Sequence, residues 1–168
     1  EVMHERLPSP WNFDHSILQF KYKDSTYYID PTISSQRGSI KKIVTSEDSY
    51  GVVADPNQPG LTEIPKGKNW SVIRAREDFE VLAIGGSARL KVETYYSGSE
   101  ADNVRDGFKS KTKAETNKDY VAFYANDYPE IKIVKSVSYS DDTLNNAVTV
   151  FEEYEVPNFW KYDSADSR

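Results

Sequence analysis

An ordered series of strand-like and helix-like segments between residues 70 and 156 restricts the fold more than any other feature of this sequence. Period-two patterns, such as Leu90, Val92 and Thr94, are typical of strands. Four strands are predicted, at residues 70–83, 88–96, 130–139 and 147–156. Gly85 and Gly86 lie between the first two and supply the positive φ that a tight hairpin needs.

Two helices are expected between the second and third of these strands. One begins near Ser99, because Asp102 three residues later completes the spacing of a capping box. The other is expected at residues 118–126, with Asn117 as its N-cap. The order strand, strand, helix, helix, strand, strand predicts an α+β fold in which an antiparallel sheet carries helices on one face.

The charge balance and the absence of cysteine exclude several function classes. The 168 residues include 27 Asp+Glu, 21 Lys+Arg, two His and no Cys, for a net charge of -6. Without Cys the chain has no disulfide, thiolate metal site or cysteine nucleophile of its own. The small number of histidines, two, argues against a zinc site. No metal and no cofactor is therefore expected. An acidic chain lacks the basic surface that nucleic acid or an anionic membrane requires. No apolar stretch reaches the roughly 18 residues of a membrane span, so no membrane insertion is expected.

The distribution of prolines divides the chain into two regions. Six of the eight prolines lie before residue 69, which predicts short strands and many loops there. The polar, turn-prone residues 65–69 are expected to form the junction. We predict a first region at residues 1–68, which contains part of an antiparallel sheet, a β-rich second region at 69–160, and a flexible tail at 161–168.

The best candidate for chemistry is a hairpin in the first region, with strands at 15–22 and 26–30. It carries His15 on one strand and Asp30 on the other, and a histidine general base needs a carboxylate to fix its tautomer. A turn centred at Asp24 would place Asp30 opposite Leu18, three positions inside His15, so another turn centre, a twist or a bulge is needed. Taken alone, the spacing also fits an exposed histidine and an aspartate that starts a turn before proline.

Two motifs around these residues resemble the transglutaminase-like (papain-fold) superfamily. The first is Trp11-Asn12-Phe13-Asp14-His15-Ser16-Ile17, which follows Leu7-Pro8-Ser9. The second is Thr26-Tyr27-Tyr28-Ile29-Asp30-Pro31-Thr32. Their order and spacing are similar to the bacterial multidomain branch of that superfamily. The resemblance covers residues 7–65, and extends loosely over 70–156 as the β-rich domain that follows the core.

The resemblance implies a Cys-His-Asp triad in which His15 is the base and Asp30 the orienting carboxylate, within hydrogen-bond reach of Nδ1. Since this chain has no Cys, we interpret it as the C-terminal part of a catalytic core, inactive alone, whose thiol lies in an upstream portion of the same polypeptide. The implied substrate is a protein or peptide carrying peptide or glutaminyl amides, and we expect a periplasmic or other extracytoplasmic parent protein. There are two alternatives. The chain could be a relative of the superfamily that has lost its thiol, or a non-catalytic β-rich module that binds a protein or a glycan.

Two further expectations concern the last strand and the residues after it. The run Glu152-Glu153-Tyr154-Glu155 is expected to form a solvated strand face. Phe159 and Trp160 are expected to fold back over a sheet edge, with an exposed partner patch as the alternative.

Overall fold

Two short hairpins make up the sheet structure of the first region. The computed structural model of the chain describes residues 9–13, 15–43, 50–65 and 71–160. In it, β1 (Leu18–Tyr22) pairs antiparallel with β2 (Ser25–Ile29), and β3 (Tyr50–Val52) pairs antiparallel with β4 (Leu61–Glu63). Each hairpin is a separate two-stranded sheet. The predicted strand at 15–22 begins three residues later than expected, so His15 lies just outside β1.

The second region forms a four-stranded antiparallel sheet with two helices. Its elements are β5 (Val72–Val81), β6 (Ala88–Ser97), α1 (Ser99–Ser110), α2 (Lys113–Ala125), β7 (Lys132–Asp142) and β8 (Ala147–Val156). The strand order is β5-β6-β8-β7. The predicted α+β class, with antiparallel sheets and two helices between the second and third strands of this region, is confirmed.

Both helices cover the same face of this sheet. The buried side of β6 repeats at every second residue, through Leu90, Val92 and Thr94, as its alternation predicted. Tyr124 of α2 packs in one cluster with Leu90, while Ala101 of α1 packs in a second cluster on β8. The core of the described chain therefore lies between this sheet and the two helices. Each fully buried aliphatic side chain there contributes roughly 1.5–3 kcal/mol of transfer free energy.

Helix α1 begins at Ser99 as expected, but the caps of both helices and the start of α2 differ from the predicted ones. Gly98 is the N-cap of α1 and makes no side-chain cap bond, so the Ser99 capping box is wrong, because the Ser99 hydroxyl lies 2.6 Å from that of Ser71 instead. Helix α2 starts five residues earlier than expected, with Thr112 as N-cap in a capping box with Glu115. Asn117 is therefore not a cap: it lies within α2, and its side-chain oxygen accepts a hydrogen bond from the Val137 N–H at 3.0 Å.

The end of β8 confirms one expectation and corrects another. Phe159 folds back, and its ring stacks on Phe79 of the edge strand β5 at 5.3 Å between centroids, whereas Trp160, for which the same was expected, is 47% exposed. The expectation of a solvated face is wrong for Glu152, which is buried at 7% exposure beneath the helices, whereas Glu155 is exposed. Strand parity is the reason, since residues 152 and 154 share the inward face of β8 and Glu155 points outward.

Some expectations fall on residues that are not described. The predicted junction lies outside the described residues except for Pro65, and the predicted tail at 161–168 lies wholly outside them. Within the ranges given above, neither helix has the length and apolar character needed to cross a bilayer.

Candidate active site

A two-residue turn brings His15 and Asp30 to one face of the first hairpin. Tyr22 pairs with Ser25, so Leu18 pairs with Ile29 and not with Asp30 as predicted. If the same pairing continued past the strand ends, His15 would lie opposite residue 32, and Asp30 would be its diagonal neighbour. Diagonal neighbours share a face, whereas the predicted register, one residue off, would have put the two side chains on opposite faces.

The two candidate residues contact each other directly. His15 Nε2 lies 2.7 Å from Asp30 Oδ2, the length of a strong charge-assisted hydrogen bond. The side chain of Asp30 is 7% exposed and that of His15 is 38% exposed, so the carboxylate is held inside and the imidazole reaches solvent. The contacting nitrogen is Nε2, and the expectation that Nδ1 would bind Asp30 is wrong.

A turn after β2 fixes the Asp30 carboxylate. Its other oxygen, Oδ1, accepts hydrogen bonds from the backbone N–H of Thr32 at 2.9 Å and from the Thr32 hydroxyl at 2.6 Å. The Ile33 N–H also donates to the Asp30 carbonyl at 3.3 Å. The hydrogen bond from the Thr32 hydroxyl, more than any other contact, lowers the pKa of Asp30 below its ordinary value. Asp30 is therefore an anion at neutral pH and can only accept hydrogen bonds.

An ionised Asp30 determines which imidazole nitrogen can take up a proton. Since the carboxylate only accepts, Nε2 of His15 must carry the hydrogen in their 2.7 Å contact. In the neutral ring Nδ1 then bears the lone pair. Nδ1 makes no hydrogen bond to another described residue. A general base whose orientation and tautomer are set by a carboxylate has this arrangement.

His15 lines a cleft between the two hairpins of the first region. The cleft has a volume of about 490 Å³ and is lined by residues 12, 13 and 15–19 with Tyr28 on one side and by both strands of the β3–β4 hairpin on the other. Its described lining contains no Asp, Glu, Lys or Arg, and aromatic and aliphatic side chains such as Phe13, Tyr50 and Ile64 form much of it. On the Tyr28 wall, the Gln19 amide donates to the Tyr28 hydroxyl at 3.0 Å. An uncharged ligand segment suits such a lining, because burying a charge there would leave it unpaired.

A second, smaller cleft lies on the sheet of the second region. It measures about 240 Å³ and is lined largely by charged residues, among them Asp78, Lys91, Glu93 and Lys135. These side chains form no nucleophile and base pair. In the part of the chain that the structure describes, no group of three or more His, Asp or Glu side chains has the proximity needed to hold a metal ion.

Comparisons with protein-family models, curated proteins and solved structures find no match to this chain. The resemblance to transglutaminase-like proteins therefore depends on the motifs around His15 and Asp30. The structure adds the contact between these two side chains.

Sequence analysis overlooked Thr32 as part of the site. An Asp followed two residues later by Thr is a local signal for a turn in which the aspartate side chain accepts hydrogen bonds from its neighbour. Thr32 belongs to the second motif, but the motif alone does not indicate that the Thr32 hydroxyl lowers the pKa of Asp30.

Replacing Thr32 by alanine should raise the pKa of Asp30, because the largest lowering contact is lost. A lowered pKa stabilises the folded chain above the ordinary value of 3.8, and this stability disappears as the pH falls through the folded-state pKa. The variant should therefore lose part of that stability at neutral pH, and a ¹³C NMR titration of the carboxyl carbon measures the shift directly. Thr26→Ala, at an exposed position of β2, is the matched control. An unchanged Asp30 titration in Thr32→Ala contradicts the assignment.

Proposed function

We propose that this chain supplies the histidine and aspartate of a thiol-dependent amide-processing site. The protein would be transglutaminase-like or cysteine-protease-like, and its thiol would come from polypeptide outside these 168 residues. The observation that carries the proposal is the 2.7 Å contact between His15 and a buried Asp30, with the imidazole at the wall of a cleft whose described lining contains no Asp, Glu, Lys or Arg.

The proposed chemistry follows from the roles of the two ring nitrogens. Nδ1 of His15 takes the thiol proton, and the thiolate attacks the carbonyl carbon of the amide so that a C–S bond forms. The C–N bond then breaks as the imidazolium returns the proton to the leaving ammonia or amine. Water or a second amine attacks the thioester and releases the thiol. Asp30 stays ionised throughout and stabilises the imidazolium.

Exposed apolar side chains on the first region support the proposal that further polypeptide packs against it. Among its described residues Ile64 is the only buried apolar side chain, while Trp11 is 92% exposed, Leu18 54% and Val52 56%. Two-stranded hairpins are marginally stable by themselves. Exposed apolar surface of this kind is typical of an interface, and a preceding portion that carries the thiol is the partner we propose for it.

The test is an activity assay on the gene product that includes the residues encoded before Glu1. We expect ammonia release from a glutaminyl peptide, or cleavage of a peptide bond, that iodoacetamide abolishes. The 168-residue chain should be inactive in the same assay, because it contains no Cys. Amide cleavage by the 168-residue chain, or an iodoacetamide-resistant activity of the longer protein, contradicts the proposal.

The second candidate function is a protein- or glycan-binding module in the second region. It is favoured by Phe151, which is 41% exposed and lines the smaller cleft beside Lys91 and Lys135. Exposed aromatic rings next to charged side chains suit such ligands. A glycan array and a protein pull-down with the whole chain test it: binding that Phe151→Ala abolishes supports this function, and the absence of any binding counts against it.

A further inference from the structure

A buried arginine joins the two regions of the chain. Arg105 of α1 is 1% exposed. Its guanidinium binds Asp141 in a bidentate manner, with Nε donating to Oδ2 at 2.9 Å and one terminal nitrogen donating to Oδ1 at 2.8 Å. The other terminal nitrogen donates to Asp102 at 3.0 Å, to the Asn146 side-chain oxygen at 3.2 Å and to the backbone carbonyl of Ser35 at 2.8 Å. Four of these five hydrogen bonds stay within the second region, and the fifth reaches the first.

The segment around Ser35 is docked against the second region at further points. The Ser35 hydroxyl donates to Asp106 at 3.2 Å, and the Gly38 N–H donates to the Thr143 carbonyl at 3.1 Å. Ser35 is 3% exposed. Gly38 has φ +85°, and a Cβ at this position would lie 3.0 Å from the Cβ of Asn146. The backbone thus comes so close to the turn between β7 and β8 that a side chain at residue 38 would be strained.

This docked segment is the direct continuation of the Asp30 turn. Ser35 follows Asp30 by five residues, and Pro31 restricts the backbone between them. The hydrogen bonds from Thr32 and Ile33 to Asp30 lie in the same short stretch. One end of this stretch is fixed by β2 and the other by the guanidinium of Arg105.

We propose that Arg105 is a positioning residue of the His15–Asp30 pair: by holding Ser35 on the second region it fixes the turn that presents the Asp30 carboxylate to the imidazole. The second region is then part of the framework of the site. This inference extends the proposed function, but the geometry that it concerns exists in the 168-residue chain without a thiol.

Arginine suits this role because its fork of donors can serve two carboxylates and a carbonyl in one plane. Contact with Asp141, above all its hydrogen bonds, raises the pKa of Arg105, so the group stays charged. Burial raises the pKa of Asp102, while the hydrogen bond from Asn146 and the charge of Arg105 act in the opposite direction. Lysine could replace the charge but not the bidentate geometry.

The test is hydrogen exchange by NMR on the folded 168-residue chain. In Arg105→Met, the Thr32 amide should exchange about tenfold faster or more, because its turn opens locally. Amides in the middle of β6, such as that of Leu90, report whether the second region is still folded. Arg105→Lys should restore part of the Thr32 protection. The Asp30 carboxyl titration should shift upward in Arg105→Met, an effect that a role confined to the second region would not produce.

Gly38→Ala provides a second variant that releases the segment without touching Arg105. Its Cβ would press on Asn146, so the same increase in Thr32 exchange is expected with β6 unchanged. Asp24→Asn, in the exposed turn of the first hairpin, is the matched control and should leave Thr32 protection as it is. If Arg105→Met unfolds the second region, the exchange rate of the Thr32 amide in Gly38→Ala tests the proposal. Unchanged Thr32 protection in Gly38→Ala, or in a folded Arg105→Met, overturns the proposal, and neither result depends on amide-cleaving activity.

Discussion

Replacing His15 by alanine should lower the amide-cleaving rate of the proposed thiol-containing protein by roughly 10²- to 10⁴-fold, the usual contribution of a general acid and base. In the proposed mechanism the imidazole accepts the thiol proton and returns it to the leaving amine, and the described residues include no other histidine that could replace it. Asp30→Ala should also reduce the rate, since Nε2 loses its partner at 2.7 Å and the ring loses its orientation. The measurement is kcat/KM for ammonia release from a glutaminyl peptide.

A matched control separates this loss from a disturbance of the hairpin. Asp24→Asn removes a carboxylate from the exposed turn of the same hairpin and should keep the rate within a few-fold of the unchanged protein. Circular dichroism of each variant checks that the fold is retained. A folded His15→Ala protein with full activity would remove the histidine from the mechanism and leave the resemblance without chemical support.

The second region was predictable because its signals are local. Period-two alternation identified β6, and the Gly85-Gly86 pair identified the turn before it, in which Gly85 and not Gly86 has positive φ. Strand β8 lies at its predicted bounds. The start of α2 was misplaced because Asn117 resembled a cap, although Thr112 and Glu115 carry the stronger capping-box signal. Asn117 instead bonds a strand that follows it by twenty residues, a contact that local patterns do not indicate.

The register of the first hairpin shows where sequence reasoning fails for a site. Lys23 opens the turn with φ 53°, a conformation that usually calls for Gly, Asn or Asp. With no glycine there, the sequence did not indicate a two-residue turn. The motifs therefore predict that His15 pairs with Asp30. Which face of the hairpin carries the two side chains, and which nitrogen of the imidazole contacts Asp30, follow only from the three-dimensional structure.

Buried charges could not be predicted from the sequence. Charged residues are rarely buried unless paired, and the partners of Arg105 lie as many as 70 residues away in the chain. Glu152 stands in an acidic run that favours a solvated face, yet strand parity and the two covering helices place it in the core. Both exceptions become intelligible once their hydrogen-bond partners are known.

The buried carboxylate of Glu152 leads to the second large effect. Tyr154, with 0% exposure, donates its hydroxyl hydrogen to Glu152 at 2.5 Å. Tyr154→Phe removes this donor and leaves the carboxylate buried without it. Hydrogen bonds to charged groups contribute about 1.5–3 kcal/mol, so we expect the free energy of unfolding to fall by about that amount at pH 7, as measured by urea denaturation. Tyr139→Phe, at a 41% exposed position of β7, is the control and should change it by less than about 0.5 kcal/mol.

The pH dependence identifies the charge as the cause. Burial raises the pKa of Glu152 above its ordinary value of 4.5. A raised folded-state pKa contributes stability that is fully present below 4.5 and is lost as the pH rises through the folded-state value, where the buried group must ionise. The deficit of Tyr154→Phe should therefore be smaller at pH 4 than at pH 7. In a Glu152→Gln background, which keeps an acceptor but no charge, the same substitution should cost only about 1 kcal/mol, the value for a neutral hydrogen bond. Equal deficits at both pH values and in both backgrounds would mean that Tyr154 stabilises the core through its ring alone.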